Sequence, residues 1–266
     1  MNWEPARADH SIDRVVASIS LLEPIGADAF DQLVLSGRQA ARDHHLVDRV
    51  DLPDIVALPP GSGGVIIGLD NFKPSRRVVF RRMDVGETAV EELSIGMQQL
   101  SFSTLRYRRW QDFYHLITST VAALDRDLPI SQTTRLVRLE YVDRFQSAPG
   151  GADHFEIISR DSMFLAPIVK DKTAALHVHS GWFDFESQNI RKLTNMNIDV
   201  NDTSVPLPPS AEPRRKISIL SMGQFEALVG VLDRPIERLD TLHDYLKDTF
   251  RSIITTEAAS RVALND

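Results

Sequence analysis

Residues 107–145 read YRRWQDFYHLITSTVAALDRDLPISQTTRLVRLEYVDRF and contain the two periodicities that decide the fold. In the first part, apolar residues recur at steps of three and four, which is typical of a helix packed on a sheet. The apolar stripe consists of Trp110, Phe113, Ile117, Val121 and Leu124. Pro129 ends this pattern, because proline cannot continue a helix. The stretch therefore predicts a helix over 107–126 and a strand over 133–145.

The predicted strand has two unlike faces, since successive side chains of a strand point to opposite sides. One face carries Val137, Leu139, Tyr141 and Phe145. The other carries Leu136, Arg138, Glu140, Val142 and Arg144. For the helix start, we favour core packing of Trp110 and Phe113; the alternative is a surface on which bases stack.

The rest of the chain combines short strands with a few helices. A polar lead at 1–11, expected to be disordered, precedes a strand at 12–25 and a helix at 27–46. Further strands are predicted at 65–70, 76–83, 89–103, 173–186, 190–200 and 215–222, and a last helix at about 234–263. Stretches rich in Pro and Gly predict loops, among them 52–64.

Short connections between neighbouring strands favour antiparallel pairing. The predicted fold class is α+β, with a mostly antiparallel sheet in two meanders, each closed by a long helix. We expect a single domain over 12–266 with two similar halves, about 12–130 and 131–266.

Composition excludes several function classes. The chain has 266 residues, 42% of them hydrophobic, and a formal net charge of -7, which argues against coating nucleic acid along the whole surface. It has no cysteine, so disulfides, thiolate metal sites and thiol nucleophiles are excluded. The first residues lack the apolar segment of a signal peptide, and no apolar run approaches the length of a membrane span. We expect a cytoplasmic protein with no membrane partner.

The charged face of the 133–145 strand is the first candidate binding site. Arg138, Glu140 and Arg144 alternate on it, and arginine presents a fork of donors suited to carboxylate or phosphate. The alternative is a ladder of ion pairs on a solvated sheet face. Arg81 is a further candidate, within a run of five positive charges over 73–82. That run also suits a solvated edge strand, where charge blocks aggregation.

Histidines give a weaker indication of function. His177 and His179 share one strand face, a spacing found in some metal sites, but no third ligand follows. His243 lies one helical turn from Leu239 and Leu246, which indicates a partly buried structural histidine. We expect no metal, no cofactor and no catalytic residue.

Three segments resemble a sporadically distributed bacterial and archaeal family of uncharacterised proteins, about 250–280 residues long. The first segment is Tyr107-x-x-Trp110-x-x-Phe113, similar to the family's Y-x-x-W-x-x-F helix opening. The second, 139–144, resembles its G-L-R-Y-x-N-R strand, and the third, 242–255, resembles its C-terminal helix. Arg138, Glu140 and Asp143 stand where the family tends to have Gly, Arg and Asn. The resemblance implies a cytosolic α+β protein and no established activity.

Two hypotheses follow. The favoured one is a non-enzymatic binding or interaction protein that self-associates or holds a protein partner, with an accessory or antitoxin-like role in a defence or toxin–antitoxin setting. The alternative is an enzyme or binder acting on a phosphate-containing substrate, a nucleotide or nucleic acid, through Arg138, Glu140 and Arg144. A nucleic-acid partner is not favoured. The two hypotheses differ in geometry, since an enzyme needs these side chains in a concave pocket with His177 or His243.

Overall fold

A computed structural model describes residues 2–7, 10–54, 75–202 and 214–262. The strands are β1 (Trp3–Pro5), β2 (Ile12–Leu21), β3 (Asp48–Asp54), β4 (Ser75–Met83), β5 (Ala89–Gly96), β6 (Gln99–Thr104), β7 (Thr134–Ser147), β8 (Leu176–Ser187), β9 (Ile190–Asp202) and β10 (Arg215–Ala227). The helices are α1 (Ala27–Asp43), α2 (Trp110–Leu124), α3 (Ile130–Thr133), α4 (Pro235–Ile253) and α5 (Thr256–Arg261). Short 3-10 turns occur at His154–Glu156 and Pro167–Val169. The α+β class with a large antiparallel sheet is confirmed.

All ten strands belong to one antiparallel sheet, in the order β3-β4-β5-β6-β2-β7-β10-β9-β8, with β1 added beside β7. β2 and β7 pair at its centre, with Ala17 opposite Leu139. On its other side, β7 pairs with β10 over 11 residue pairs, from Lys216 opposite Gln146 to Glu226 opposite Leu136. The charged strand of the sequence analysis is therefore central, with neighbours on both sides.

The helices α1, α2 and α4 pack on one face of the sheet and form the main core with it. Alternate strand residues enter this core, including Val15, Ala17 and Ile19 of β2. The helices contribute their apolar stripes, and Trp110 and Phe113 are buried among them as predicted. A second buried cluster continues this layer around Phe250 at the end of α4. Among the described residues no helix covers the opposite face, which we call the open face.

Two glycines allow the helices to approach the sheet closely. A Cβ at Gly223 of β10 would lie 2.7 Å from Leu242 Cδ2 of α4, and one at Gly37 of α1 would lie 2.2 Å from Ile95 Cδ1 of β5. Both distances are far below van der Waals contact. A larger residue at Gly223 would therefore force the Leu242 side chain to move.

Some predicted boundaries require correction. The strand expected at 89–103 is two strands, β5 and β6, joined by a turn at Met97 and Gln98. The sequence signal for this turn is weak, because Gly96 is its only turn-forming residue. Trp3–Pro5, part of the expected disordered lead, pairs with β7 because the Trp3 side chain is buried. The last helix is interrupted at Ile254, which is extended, and Thr255 caps α5.

The first three residues of the loop predicted at 52–64 belong to β3 instead, because that strand runs to Asp54. The remainder of that loop and the strand predicted at 65–70 lie outside the described residues. None of the described helices is long and apolar enough to cross a membrane.

Candidate functional site

A cavity of about 430 Å³ lies on the helix-covered face, between β7, the start of α2 and the middle of α4. We call it the β7–α4 pocket. It is lined by His10, Ser11, Ile12, Tyr107, Arg108, Arg109, Trp110, Gln111, Tyr141, Asp143, Ser221, His243, Leu246, Lys247, Phe250 and Val262. Its volume falls within the usual range of small-molecule sites, about 300–1,000 Å³.

Regular secondary structure places most of the polar lining. Tyr141 and Asp143 are two residues apart on β7, so both point to the helix-covered face. Ser221 of β10 lies directly opposite Tyr141 in the sheet. His243 and Lys247 are one helical turn apart on α4 and share a face of that helix.

Asp143 is the most unusual residue of the pocket, a carboxyl group with 2% of its surface exposed. The Ser11 hydroxyl donates a hydrogen bond to its Oδ1 at 2.6 Å. Burial raises the pKa of Asp143 to about 7, and the Ser11 hydrogen bond offsets only part of this rise. At neutral pH the carboxyl group therefore exists in both protonation states and can donate or accept a hydrogen bond.

An aromatic and polar network lies beside Asp143. The rings of Tyr107 and Tyr141 meet edge to face with centroids 6.0 Å apart, and the Tyr141 hydroxyl lies 2.9 Å from His243 Nδ1. Burial raises the pKa of both tyrosines and lowers the pKa of His243. His243 is thus neutral at pH 7, and its Nδ1 either accepts a hydrogen bond from the Tyr141 hydroxyl or donates one to it, depending on the ring tautomer.

Trp110 fixes the position of the His243 ring. The two rings are stacked, with centroids 4.5 Å apart and planes 7° from parallel. The Trp110 indole donates a hydrogen bond to Asp240 Oδ1 of α4 at 2.6 Å. The aromatic start of α2 therefore both enters the core and orients a pocket residue.

Two buried polar atoms of the lining have no hydrogen-bond partner among the described residues. Ser221 Oγ is one, on a side chain only 1% exposed. His10 Nδ1 is the other; His10 Nε2 lies 2.7 Å from the Tyr107 carbonyl oxygen and therefore carries the ring hydrogen. Leaving such groups unpaired costs about 1–3 kcal/mol each. Both are therefore suited to bind polar atoms of a ligand.

The lining carries more positive than negative charge. Arg108 and Arg109 come from the segment before α2, and Lys247 comes from α4. Arg109 Nε forms an ion pair with Asp112 Oδ2 at 3.5 Å, whereas Arg108 makes no ion pair with any residue that the structure describes. Asp143 carries the only carboxyl group among the residues that line the pocket. The field in the pocket favours an anion.

A second cavity, of about 520 Å³, is also lined by the segment 107–109. It is lined by Asp43, His44, His45, Arg82, Glu91, Thr104, Arg106, Tyr107, Arg108, Arg109, Asp112, Phe113 and Leu116. Two of its arginines are paired, Arg82 with Glu91 at 2.7 Å and Arg106 with Asp84 at 2.6 Å, while Arg108 and Arg109 line both cavities. We treat the β7–α4 pocket as the candidate site because it alone of the two contains the buried Asp143 carboxyl group and the unpaired polar atoms of His10 and Ser221.

The binding residues predicted from sequence lie elsewhere. Arg138, Glu140 and Arg144 are on the open face of β7, opposite to the pocket. Arg138 pairs with Glu140 at 2.5 Å, and Arg144 pairs with Asp13. Neither of the two cavities is lined by Arg138, Glu140 or Arg144, and the alternative of a phosphate-containing substrate on this face stays a hypothesis.

The other predicted positions are also apart from the pocket. Arg81 of β4 donates two hydrogen bonds to Asp48 Oδ2, at 3.0 and 2.7 Å. On β8, His177 lies 2.6 Å from Asp199, and His179 shares its strand face. Within the described parts of the chain, no group of three or more potential ligand side chains is arranged to hold a metal ion.

Sequence reasoning did not select Asp143, although a signal for it was present. Asp143 alternates with Leu139 and Tyr141 on the apolar face of the strand, and a charged residue on such a face is rarely solvated. A buried ionisable group in a cavity is a recognised mark of a functional site. The contributions of Ser221, Ser11 and Lys247 had no comparable signal, because they depend on strand register and helix docking.

The sequence matches no protein-family model, and it has no significant match among curated proteins.

Proposed function

We propose that this chain binds a small organic anion in the β7–α4 pocket, with a carboxylate or phosphate held by Arg108 and Lys247. The polar floor, formed by Asp143, Tyr141 and Ser221, would recognise the uncharged part of the ligand. The observation that carries the proposal is the combination of three features in one pocket: basic lining residues, a buried carboxyl group whose pKa is about 7, and buried polar atoms without a hydrogen-bond partner. The proposal keeps a binding role for the protein and moves the binding site to the covered face.

We also propose that the chain is one domain built from two similar halves. Each half has a run of antiparallel strands followed by a long helix: β4–β5–β6 with α2, and β8–β9–β10 with α4. The first strands of the halves, β2 and β7, pair at the centre of the sheet. The pocket lies where α2 and α4 meet over this pair, so its lining comes from both halves.

A second candidate function is an enzyme that transfers a proton to or from the bound anion. It is favoured by Asp143, since a carboxyl group whose pKa is about 7 is well suited to general acid–base catalysis at neutral pH. In this version Asp143 is the reacting group, and Tyr141 and His243 orient the ligand. An Asp143→Asn protein that binds ligand unchanged but no longer converts it would support this candidate.

The main experiment compares charged ligands with neutral analogues. A panel of small carboxylates and phosphates, each paired with its amide or dephosphorylated form, is screened by thermal shift, and positive members are titrated by calorimetry. We expect at least one anion to raise the melting temperature while its neutral analogue does not. Arg108→Gln should weaken binding at least about tenfold, or about 1.4 kcal/mol.

Arg138→Gln is the matched control, because it removes the same charge from the open face of β7. It should leave the affinity unchanged. A panel without any stabilising anion, or equal losses in Arg108→Gln and Arg138→Gln, would contradict the proposal.

A further inference from the structure

The strand β8 forms one edge of the sheet, and its outer side has no strand partner in the described parts of the chain. It is long for an edge strand, with 12 residues, LHVHSGWFDFES. An edge of this kind presents a row of unpaired amide and carbonyl groups, which proteins usually protect with lysine, proline or a short strand. β8 contains no lysine, arginine or proline.

The opposite edge, β3, shows the protection that β8 lacks. Its sequence DRVDLPD has four charged residues among seven and includes Pro53, which has no amide hydrogen to donate. Arg49 and Asp51 form an ion pair at 2.8 Å along this strand. The two edges of one sheet therefore differ in whether another strand can add to them.

Exposed apolar residues concentrate at the hairpin end of β8. Phe183 and Phe185 point to the open face with 52% and 66% of their surfaces exposed. Val229, in the loop after β10, is 74% exposed, and the Leu228 amide of the same loop donates to the Asn189 carbonyl oxygen at 2.8 Å. Such a patch beside an unprotected edge is the mark of a protein interface.

We infer that β8 is a self-association edge: two copies of this chain pair β8 with β8, antiparallel about a two-fold axis, and join their sheets. A second copy fits this edge, because a two-fold axis brings the same surface of both chains together and a strand edge can pair with an identical edge. An overlap of about nine to eleven residues exchanges about ten backbone hydrogen bonds, the number found in a typical stable interface.

Charge restricts the register of this pairing. An axis at or beyond Asp184 would set its carboxylate opposite itself or opposite Glu186, and like charges directly opposite are destabilising. An axis between Gly181 and Phe183 instead sets both acids opposite uncharged residues and retains the longest overlap. It also brings Phe183 or Phe185 opposite Gly181 or another ring, and aromatic side chains pack well in both arrangements.

The absence of cysteine from the chain makes a direct test available. Gly181→Cys, Trp182→Cys and Phe183→Cys are made singly in the full chain and oxidised gently. A residue on the axis faces its own copy at about 4.5–5.5 Å between Cα atoms, within the range of a disulfide. We expect one of the three to form a crosslinked dimer at least ten times faster than the other two.

Leu52→Cys is the matched control, on the protected edge β3 and also partly exposed. It should stay uncrosslinked. Sedimentation of the unmodified chain should show a dimer, and Phe183→Lys, a change at an exposed position, should convert it to a folded monomer with an unchanged far-ultraviolet spectrum. A monomer at about 100 µM, or a dimer that none of the three cysteines crosslinks and Phe183→Lys leaves intact, would overturn the inference.

Discussion

The two faces of β7 carry charged residues in opposite settings. On the open face, Arg138 and Arg144 pair with neighbouring carboxylates and remain partly exposed to water. On the covered face, Asp143 has a serine hydroxyl as its partner and lies beside Tyr141 in the β7–α4 pocket. Burial raises the pKa of Asp143, because the charged form is disfavoured where water is removed.

This difference shows which charged residues in a strand deserve a functional interpretation. The open face holds several charges in alternation, the pattern that predicts a binding site from sequence. The covered face holds a single charge among apolar residues, and it is there that a buried ionisable group meets a cavity. Exposed ion pairs contribute about 0–1 kcal/mol, while a buried carboxyl group requires a compensating arrangement around it.

The largest effect is expected at the aromatic start of α2, on the covered face. Trp110→Ala should lower the free energy of unfolding by about 3–5 kcal/mol, because it leaves a cavity in the core and removes the stack on His243. Chemical denaturation measures this loss. Trp110→Phe is the control: it retains an aromatic ring, loses the hydrogen bond to Asp240, and should cost less than half as much. An unchanged Trp110→Ala protein would contradict the core assignment.

The next effect is a pH dependence caused by Asp143. Its pKa of about 7 in the folded chain exceeds the value of about 3.9 for an unfolded Asp, so the folded state binds the proton more tightly. Stability from this group is present below about pH 4 and is lost as the pH rises towards 7. The loss is as much as about 4 kcal/mol.

Asp143→Asn isolates this contribution, because the amide keeps the size of the side chain and cannot ionise. The free energy of unfolding of the variant, relative to the original chain, should increase steadily between pH 4 and pH 8. Other groups near Asp143 are the same in both proteins, namely Ser11, Tyr107, Arg108, Tyr141, His243 and Lys247. Parallel stability curves for the two proteins would show that Asp143 is ionised normally.

The elements of the fold were accessible from sequence, but the pocket was accessible only in part. Period and alternation predicted α2 and β7 within a few residues, because the apolar positions of each are strictly spaced. They also predicted the burial of Trp110 and the face of Tyr141. The meeting of Ser11, Ser221 and His243 depends on strand order and on α4 lying close to Gly223, which local patterns do not specify. Long-range docking is the information that the sequence patterns lacked.

The smallest effect is expected on the open face, at Arg144. Its side chain is 42% exposed and pairs with Asp13 at the sheet surface, so Arg144→Ala should lower the free energy of unfolding by less than about 1 kcal/mol. Binding of an anion in the β7–α4 pocket should not change, because β7 separates the two faces. Equilibrium denaturation and calorimetry on the same protein measure both quantities.

A loss of binding of about 2 kcal/mol or more with an intact fold would make Arg144 an anchor for a partner, as the alternation of charges first suggested. A loss of the folded state would instead mean that Arg144 belongs to a network whose partners cannot be solvated once it is removed.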